Sequence, residues 1–454
     1  MVRRTWLILL AGLLVLSLAA NGWLGWSYAQ GEAEVRHLRE EREALYQRIA
    51  QLAEENRRLE QELAAYRAQE EAGRQLALLE QETSTLRELA PQREVERGFL
   101  SKEELRQYLE RDFAEQYPPV EIDRDLRFLS LLELLDPQTD LYRLWLDLYT
   151  EQVIGFYDPD EGKLFIVGGS GLGSMARLTF VHEYAHALQD QHFDLGRRLD
   201  TISEDSDREL ALMALAEGDA SLTMEQYMQE HLRELLTLDL LVQSLLADTG
   251  KLNAAPAVIR VQMLFPYEQG LAFVTGFFLE RGWAGVDAAW ANPPQSTEQI
   301  LHPERYPGDA PRLVTLPPLT ATLGAGWRFQ GEDSVGELLL RQHLAVRLDE
   351  RQVEQAATGW DGGRYALYLR ADRGEACLVL RLLWDDEAEA AEFVQHYRLY
   401  AAERYGAAGQ GSPAEGMWWD GDPGLYLGQR GDAVVLVMAP GRDVVLAVSG
   451  AVHD

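Results

Sequence analysis

A heptad repeat near the N-terminus constrains the fold most strongly, because a seven-residue period commits a long stretch of chain to one extended helix. One apolar track repeats every seven residues and consists of Leu38, Leu45, Leu52, Leu59 and Tyr66. The second core track consists of Val35, Arg42, Ile49, Asn56 and Leu63. These tracks predict a coiled coil over residues 31–90, in which a core asparagine favours a parallel homodimer. A single solvated helix used as a stalk is the alternative.

An apolar segment, residues 6–28, comes before the coiled coil. It exceeds the length of about 20 residues that a helix needs to cross a bilayer. Arg3 and Arg4 precede the segment, and flanking cations stay on the cytoplasmic side. The segment therefore predicts a single-pass transmembrane anchor over residues 1–30, with the bulk of the chain extracytoplasmic at the cell membrane. A cleaved signal peptide is the alternative.

The charge balance excludes several classes of partner. The chain has 454 residues, with 42 Lys and Arg against 74 Asp and Glu, so its formal net charge is −32. Nucleic acids are bound by concentrated cationic charge, and the acidic balance therefore argues against them. It also disfavours anionic lipid surfaces and acidic substrates. Cys377 is the only cysteine, which excludes an intramolecular disulfide and a cysteine-based zinc finger or iron–sulfur site.

Residues 98–324 are predicted to form a mostly helical domain with one β-hairpin, after a linker at residues 90–97. Ser101 and Glu104 have capping-box spacing, which predicts a helix over residues 102–116. Further predicted elements are helices at 123–135, at 140–151 and from about Asp207, hairpin strands at 152–157 and 163–167, and a glycine-rich loop at 168–174.

The helix predicted over residues 175–191 carries two histidines at metal-ligand spacing. His182 and His186 are four residues apart, so both imidazoles project from one face of the helix, one turn apart. Two nitrogen ligands hold one zinc ion with this geometry, and the pattern is His-Glu-x-x-His. Glu183 is adjacent and can act as a general base on a water at the metal. Two ordinary histidines on a structural helix are the alternative interpretation.

Glu217 is the best candidate for a third ligand. A catalytic zinc site takes three protein ligands and keeps one position open. Glu217 lies 31 residues after His186, on a predicted helix. Gly218 and Ala220 follow it, and their small side chains would let this helix approach the histidine-bearing helix closely.

The chain resembles the gluzincins, a family of zinc metallopeptidases, and within them a group of bacterial exported zincin-like proteins. The resemblance rests on residues 182–191, His-Glu-Tyr-Ala-His-Ala-Leu-Gln-Asp-Gln, and on residues 217–220, Glu-Gly-Asp-Ala. It extends to residues 296–306 and covers about half of the chain, residues 101–318. The resemblance implies zinc as the cofactor and Glu217 as the ligand that completes the site.

The chain departs from the family at one position. Thermolysin-like gluzincins have an aspartate four residues after the ligand glutamate, where it orients a histidine, but Ser221 stands there in this chain. Asp219 could take that role, or it could be a surface acid of the helix. Hydrolysis also needs a donor for the developing oxyanion, usually a tyrosine or a histidine. The candidates are His231, Tyr227, His302 and Tyr306, and Tyr267 lies either near the cleft or in the core.

Residues 325–454 are predicted to form a separate small α+β domain with a mainly antiparallel sheet. It carries no motif that indicates a function. The predicted helices are 334–344, 349–358 and 386–405, and the predicted strands are 365–369, 376–383, 425–427, 433–438 and 444–449.

These patterns together predict an α+β chain with a transmembrane helix, a coiled coil, a zincin-like domain and a small C-terminal domain. The predicted function is a membrane-anchored zinc peptidase that hydrolyses a peptide or protein substrate outside the cytoplasm. The expected partners are this substrate, the membrane and a second copy of the chain. Two alternatives are a non-catalytic zincin-fold scaffold that acts through its coiled coil, and a zinc hydrolase acting on another amide.

Overall fold

A computed structural model of the chain describes residues 2–167, 173–202, 205–235, 250–412 and 415–453. Most of the predicted glycine-rich loop, residues 168–172, lies outside the described residues. The chain divides into two compact units, Met1–Arg74 and Gln75–Asp454.

Helix α1 (Val2–Arg87) forms the N-terminal unit and continues to the first residues of the second unit. The eight apolar members of its heptad tracks, from Val35 to Tyr66, are 44–65% exposed. An apolar seam this exposed is not covered by the described residues of the N-terminal unit, so the coiled-coil dimer stays a prediction.

The predicted transmembrane anchor is wrong, because no helix among the described residues is long and apolar enough to cross a membrane. The cell-membrane location that was predicted from the anchor is corrected with it. From Gly12 onward the apolar residues of α1 are interrupted by Ser17, Asn21 and further glycines. The helix then passes into its charged heptad segment, so its described part lacks the continuous apolar length of a bilayer-spanning helix.

The last turns of α1 pack into the second unit. Four residues at helical spacing, Leu76, Leu79, Thr83 and Arg87, are buried there. Leu76 and Leu79 join one apolar core with Val181 of the histidine-bearing helix. The end of α1 is therefore part of the wall behind the candidate site.

A three-stranded sheet lies beside the histidine-bearing helix. Its strands are β1 (Glu96–Leu100), β2 (Gly155–Asp158) and β3 (Lys163–Val167), in the order β1-β3-β2. Strands β2 and β3 form the predicted hairpin, whereas β1 pairs with β3 in parallel, from Glu96 opposite Lys163 onward. The prediction of a linker over residues 90–97 is thus wrong at its end, where β1 begins at Glu96. Strand β1 forms by pairing with residues distant in sequence, and the local residue pattern does not indicate such a pairing.

Helices account for most of the chain between this sheet and the next. Helix α2 begins at the predicted capping box, in which the Ser101 N–H donates to the Glu104 carboxylate at 2.7 Å. The helices are α2 (Lys102–Gln116), α3 (Pro119–Leu131), α4 (Leu141–Gln152), α5 (Ser174–Phe193), α6 (Leu195–Ile202), α7 (Ser206–Glu230), α8 (Leu232–Leu235), α9 (Gly250–Ala254), α10 (Ala257–Arg281), α11 (Trp283–Ala291), α12 (Thr297–Leu301) and α13 (Thr320–Leu323).

Helix α7 packs between α5 and α10. Gly218 of α7 lies against the backbone of Gly270 in α10, and Gly270 lies against the backbone of Ala214. A Cβ atom at either glycine would overlap a carbonyl oxygen of the facing helix. The two glycines therefore permit a close approach that any larger residue would prevent.

The C-terminal part of the second unit is an antiparallel sheet in the order β4-β5-β6-β10-β9-β8-β7. Its strands are β4 (Arg328–Ser334), β5 (Trp360–Arg370), β6 (Glu375–Trp384), β7 (Gln410–Ser412), β8 (Gly416–Trp419), β9 (Gly424–Arg430) and β10 (Ala433–Ala439). Its helices are α14 (Glu337–Ala345), α15 (Glu350–Ala357), α16 (Glu387–Tyr405) and α17 (Arg442–His453).

Helix α17 replaces the strand that was predicted at residues 444–449. The valine-rich run favours a strand locally, but Val445, Val448 and Val452 are buried at helical spacing while Leu446 is exposed. One helical face therefore packs on the sheet, and this tertiary contact overrides the local β propensity. The mixed α+β character holds for the described residues, and the fold-class prediction is corrected for its transmembrane helix and this strand.

Asp207, in the first turn of α7, connects the helical part to the C-terminal sheet. Its carboxylate accepts hydrogen bonds from the Thr297 N–H at 3.1 Å and the Thr297 hydroxyl at 2.6 Å. Its own N–H donates to the Ser334 hydroxyl at 3.0 Å. Gly336 lies so close to this carboxylate that a Cβ atom there would overlap it.

Candidate metal centre

Helix α5 presents the two motif histidines on one buried face. Its apolar stripe, Leu178, Val181, Ala185 and Leu188, is buried as the spacing predicts. The rings of His182 and His186 lie one turn apart, with centroids separated by 4.8 Å. Both side chains are buried and are turned toward α7, which carries Glu217.

Three candidate ligand atoms converge at this point. His182 Nε2 lies 3.0 Å and His186 Nε2 lies 3.4 Å from Oε2 of Glu217, and the two nitrogens are 3.2 Å apart. Tetrahedral zinc with bonds of about 2.0–2.1 Å to nitrogen and oxygen places neighbouring ligand atoms about 3.3 Å from each other. The three residues therefore fit three positions of a tetrahedral zinc site.

Gln189 orients His186. The sequence analysis did not identify Gln189 as a site residue. Its Oε1 accepts the Nδ1–H of His186 at 2.9 Å, and its Nε2 donates to the Ala216 carbonyl at 3.0 Å. The contact at Nδ1 directs Nε2 of His186 toward Glu217, as outer hydrogen bonds do for zinc-bound histidines. Gln189 follows His186 by three residues on the same helix. Because residues three apart are neighbours on a helix surface, this spacing could have indicated a contact between the two side chains.

The convergence of these groups shifts the pKa values of Glu217 and His186. Burial alone would raise the pKa of Glu217, but His186 and His182 hold it below its usual range. Burial lowers the pKa of His186 while the charge of Glu217 raises it, and the net result is about 9. The partly buried Glu217 carboxylate is therefore stabilised by positive charge at the point where the three candidate ligand atoms meet, and a divalent cation there would supply that charge.

Glu183 lies between strand β2 and the face of α5 that carries His182 and His186. Its Oε2 accepts the N–H of Tyr157 at 3.1 Å, which fixes one carboxylate oxygen against the sheet. Burial raises the pKa of Glu183, and the neighbouring His182 and His186 oppose that rise. The carboxylate is thus a stronger base than a solvated glutamate.

Tyr267 of α10 lies beside His182. Its ring centroid lies 6.1 Å from that of His182, with the two planes 24° apart. The charge of Glu217 and burial raise the pKa of Tyr267 well above 10. The residue as a whole is 46% exposed, so Tyr267 lies beside His182 at a position that solvent reaches.

Asp219 and His231 do not contact the histidine pair. Asp219 is fully buried, but its carboxylate accepts hydrogen bonds from Arg87 and Trp290. His231 caps the end of α7, where its Nε2 lies 3.6 Å from Glu82 of α1. The family's aspartate role thus has no equivalent at Asp219, and Gln189 orients His186 instead.

His302 and Tyr306 also lie apart from the three ligands. His302 Nε2 is 3.1 Å from Oε1 of the buried Glu337, at the junction with the C-terminal sheet. The Tyr306 hydroxyl donates to the Asn292 carbonyl at 2.6 Å. These contacts give the motif-like segment 296–306 a structural role in joining helices.

Comparison with known proteins gives two similarities, and neither includes an established function. Residues 326–449, the region of the C-terminal sheet, match a domain of unknown function (DUF8575). No curated protein is significantly similar to the chain. A crystal structure of a "putative hydrolase with a novel fold" from Chloroflexus aurantiacus is 21% identical and covers 52% of this chain and 87% of its own, with a TM-score of 0.34. A TM-score this low does not establish a shared fold.

Proposed function

We propose that the chain is a zinc-dependent peptidase of the gluzincin kind, with His182, His186 and Glu217 as its metal ligands. The main support is the separation of 3.0–3.4 Å among the three ligand atoms. Ordinary buried histidines have no need to bring their ring nitrogens together beside a carboxylate oxygen, whereas the ligand atoms of one zinc ion must converge on a common point. Glu183 beside them adds a partly buried base.

Proton transfer is the part of the reaction that Glu183 would perform. A zinc ion on these ligands would supply Lewis-acid polarisation and lower the pKa of a water molecule. The Glu183 carboxylate accepts a proton from the attacking water and delivers it to the leaving amine. Its raised pKa favours the first transfer, and the hydrogen bond from Tyr157 keeps the carboxylate in one orientation.

Tyr267 is the donor that we assign to the developing oxyanion. Its raised pKa keeps the hydroxyl protonated at all ordinary pH values, so it can donate a hydrogen bond. It belongs to α10, and its ring is partly exposed beside His182. His231, His302 and Tyr306 are engaged elsewhere.

Strand β2 favours an extended peptide as the substrate. It pairs with β3 on one side and has no strand partner on the other among the described residues. The Tyr157 N–H on this free edge donates to Glu183, so the edge lies next to the proposed base. Extended peptides add to such edges through main-chain hydrogen bonds.

The test is hydrolysis of a fluorogenic peptide library by the zinc-loaded full chain and its Glu183→Gln variant. Glutamine preserves the shape of the side chain but removes the base, so we expect unchanged zinc content and a loss of about 10²–10⁴-fold in rate. Glu403→Gln, at an exposed position of α16, is the matched control and should retain full activity. Cleavage that survives Glu183→Gln would contradict the mechanism, and zinc binding without any cleavage would favour the scaffold alternative.

A further inference from the structure

Arg87, the last residue of α1, is completely buried beside the helix that carries Glu217. Its Nε and Nη2 atoms donate to the two carboxylate oxygens of Asp219 at 2.6 and 3.0 Å. Nη2 also donates to Asp287 at 2.7 Å. The Trp283 ring lies 4.3 Å from the guanidinium carbon, and this enclosure holds the guanidinium in one orientation.

Asp219 is two residues after Glu217 on α7. Successive residues of an α-helix are rotated by about 100°, so the two carboxylates leave the helix on nearly opposite sides. Glu217 points to the histidines, and Asp219 points to Arg87 and to the Trp290 Nε1–H, which donates to it at 2.7 Å. Holding Asp219 in place therefore fixes the rotation of α7 about its axis, and that rotation aims Glu217.

Neighbouring contacts fix the remaining freedom of this turn. Gly218 lies in backbone contact with Gly270, which sets the distance between α7 and α10. The Ala216 carbonyl accepts a hydrogen bond from the Gln189 side chain, and this contact sets the position of α7 relative to α5. The residues before and after Glu217, Ala216 and Gly218, are thus both held in place by neighbouring helices. The Arg87–Asp219 pair holds the side of α7 opposite to Glu217.

The energetics argue against stability as the purpose of the Arg87 pair. Buried ion pairs are often no more stabilising than apolar residues of similar volume, because both charges lose their hydration. Nη1 of Arg87 is also buried without a hydrogen-bond partner. A bidentate guanidinium–carboxylate pair does supply directional precision.

We propose that Arg87 is a positioning residue of the metal centre, which acts through Asp219 to hold Glu217 in its coordinating orientation. This inference rests on the proposed zinc site. By this inference the end of α1 contributes to the geometry of the site, although Arg87 is 130 residues from Glu217 in sequence.

The experiment measures the zinc dissociation constant of the full chain by competition with a chromogenic chelator. Arg87→Lys keeps the charge but loses the bidentate contact, and we expect zinc binding about 10-fold weaker or more. The double variant Arg87→Met with Asp219→Asn removes both charges, so no unpaired buried charge remains, and should weaken binding to a similar degree. Trp290→Phe removes one donor to Asp219, retains the ring, and should have a smaller effect.

Arg347→Lys is the matched control. Arg347 makes a bidentate pair with Glu133, at 3.0 and 2.5 Å, among residues that do not contact the ligands. It should alter thermal stability without changing zinc affinity, and circular dichroism identifies which variants are folded. An unchanged zinc dissociation constant in any folded Arg87, Asp219 or Trp290 variant would overturn the inference. Failure of the unaltered chain to bind zinc would instead refute the proposed function.

Discussion

The Nδ1–H of His186 donates to Oε1 of Gln189 across 2.9 Å, and this contact determines which ring nitrogen of His186 faces Glu217. The same glutamine donates to the Ala216 carbonyl, one residue before Glu217. Gln189 therefore orients one proposed ligand directly and anchors the helix turn that carries another.

Replacing Gln189 should weaken metal binding more than it weakens the fold. Gln189→Leu keeps the volume but leaves the His186 ring free to turn, and we expect a loss of about 10–100-fold in zinc affinity. Gln189→Glu keeps an acceptor for Nδ1–H and should lose less. The measurement is the same chelator competition, and equal affinities in both variants and the parent would contradict the role of Gln189.

The stability of the chain should depend on the protonation of Asp207. Burial raises the pKa of Asp207 to about 7, against the opposing hydrogen bonds from Thr297. A carboxyl group whose pKa is raised by folding contributes stability at low pH, and this contribution is lost as the pH rises through the folded-state value. The free energy of unfolding due to Asp207 should therefore fall between about pH 4 and pH 7, by about 1.4 kcal/mol for each unit of raised pKa.

Asp207→Asn isolates this contribution, because asparagine resembles the protonated acid and does not titrate. Urea unfolding at pH 4.5, 6 and 7.5 gives the free energy of unfolding of both proteins. The parent should lose its advantage over the variant as the pH rises. A difference that stays constant over this range would show that Asp207 titrates normally in the folded chain.

The exposed seam of α1 should pair with the same seam of a second copy. Leu45, Leu52 and Leu59 are 44–62% exposed at consecutive core positions, and burying such side chains is worth about 1.5–3 kcal/mol each. A parallel arrangement places Asn56 opposite its counterpart, where the two amides can hydrogen-bond.

Light scattering after size exclusion should give twice the mass of one chain. The variant Leu52→Lys with Leu59→Lys should give the mass of a single chain, because it places cations in the seam. Gln47→Lys, on the outer face of the helix, is the control and should remain dimeric. A monomeric parent chain would favour the solvated-stalk alternative.

Local pattern was sufficient for the elements that local forces decide. The capping box at Ser101 starts α2, and the apolar stripe of α5 is buried as its spacing requires. His182 and His186 were located from the pattern of α5, and Glu217 was located from the predicted helix that became α7 and from the family resemblance.

Contacts between distant residues account for most of what the sequence did not predict. Arg87 meets Asp219 across 132 residues. Strand β1 pairs with β3 from Glu96 opposite Lys163 onward, 67 residues apart, so neither contact leaves a local signal. The valines of α17 favour a strand by their local propensity, but packing against the sheet stabilises a helix instead. Histidine is a common catalytic residue type, but the Nε2 atom of His302 lies 3.1 Å from Oε1 of the buried Glu337.

Zinc content measured by elemental analysis tests the central claim most directly, because it does not depend on choosing a substrate. The full chain and its His186→Ala and His302→Ala variants are compared after exposure to zinc and removal of loose metal. We predict about one zinc per chain in the parent and in His302→Ala, and none in His186→Ala. A folded parent chain without zinc, or equal zinc in all three proteins, would contradict the metal centre and the peptidase function built on it.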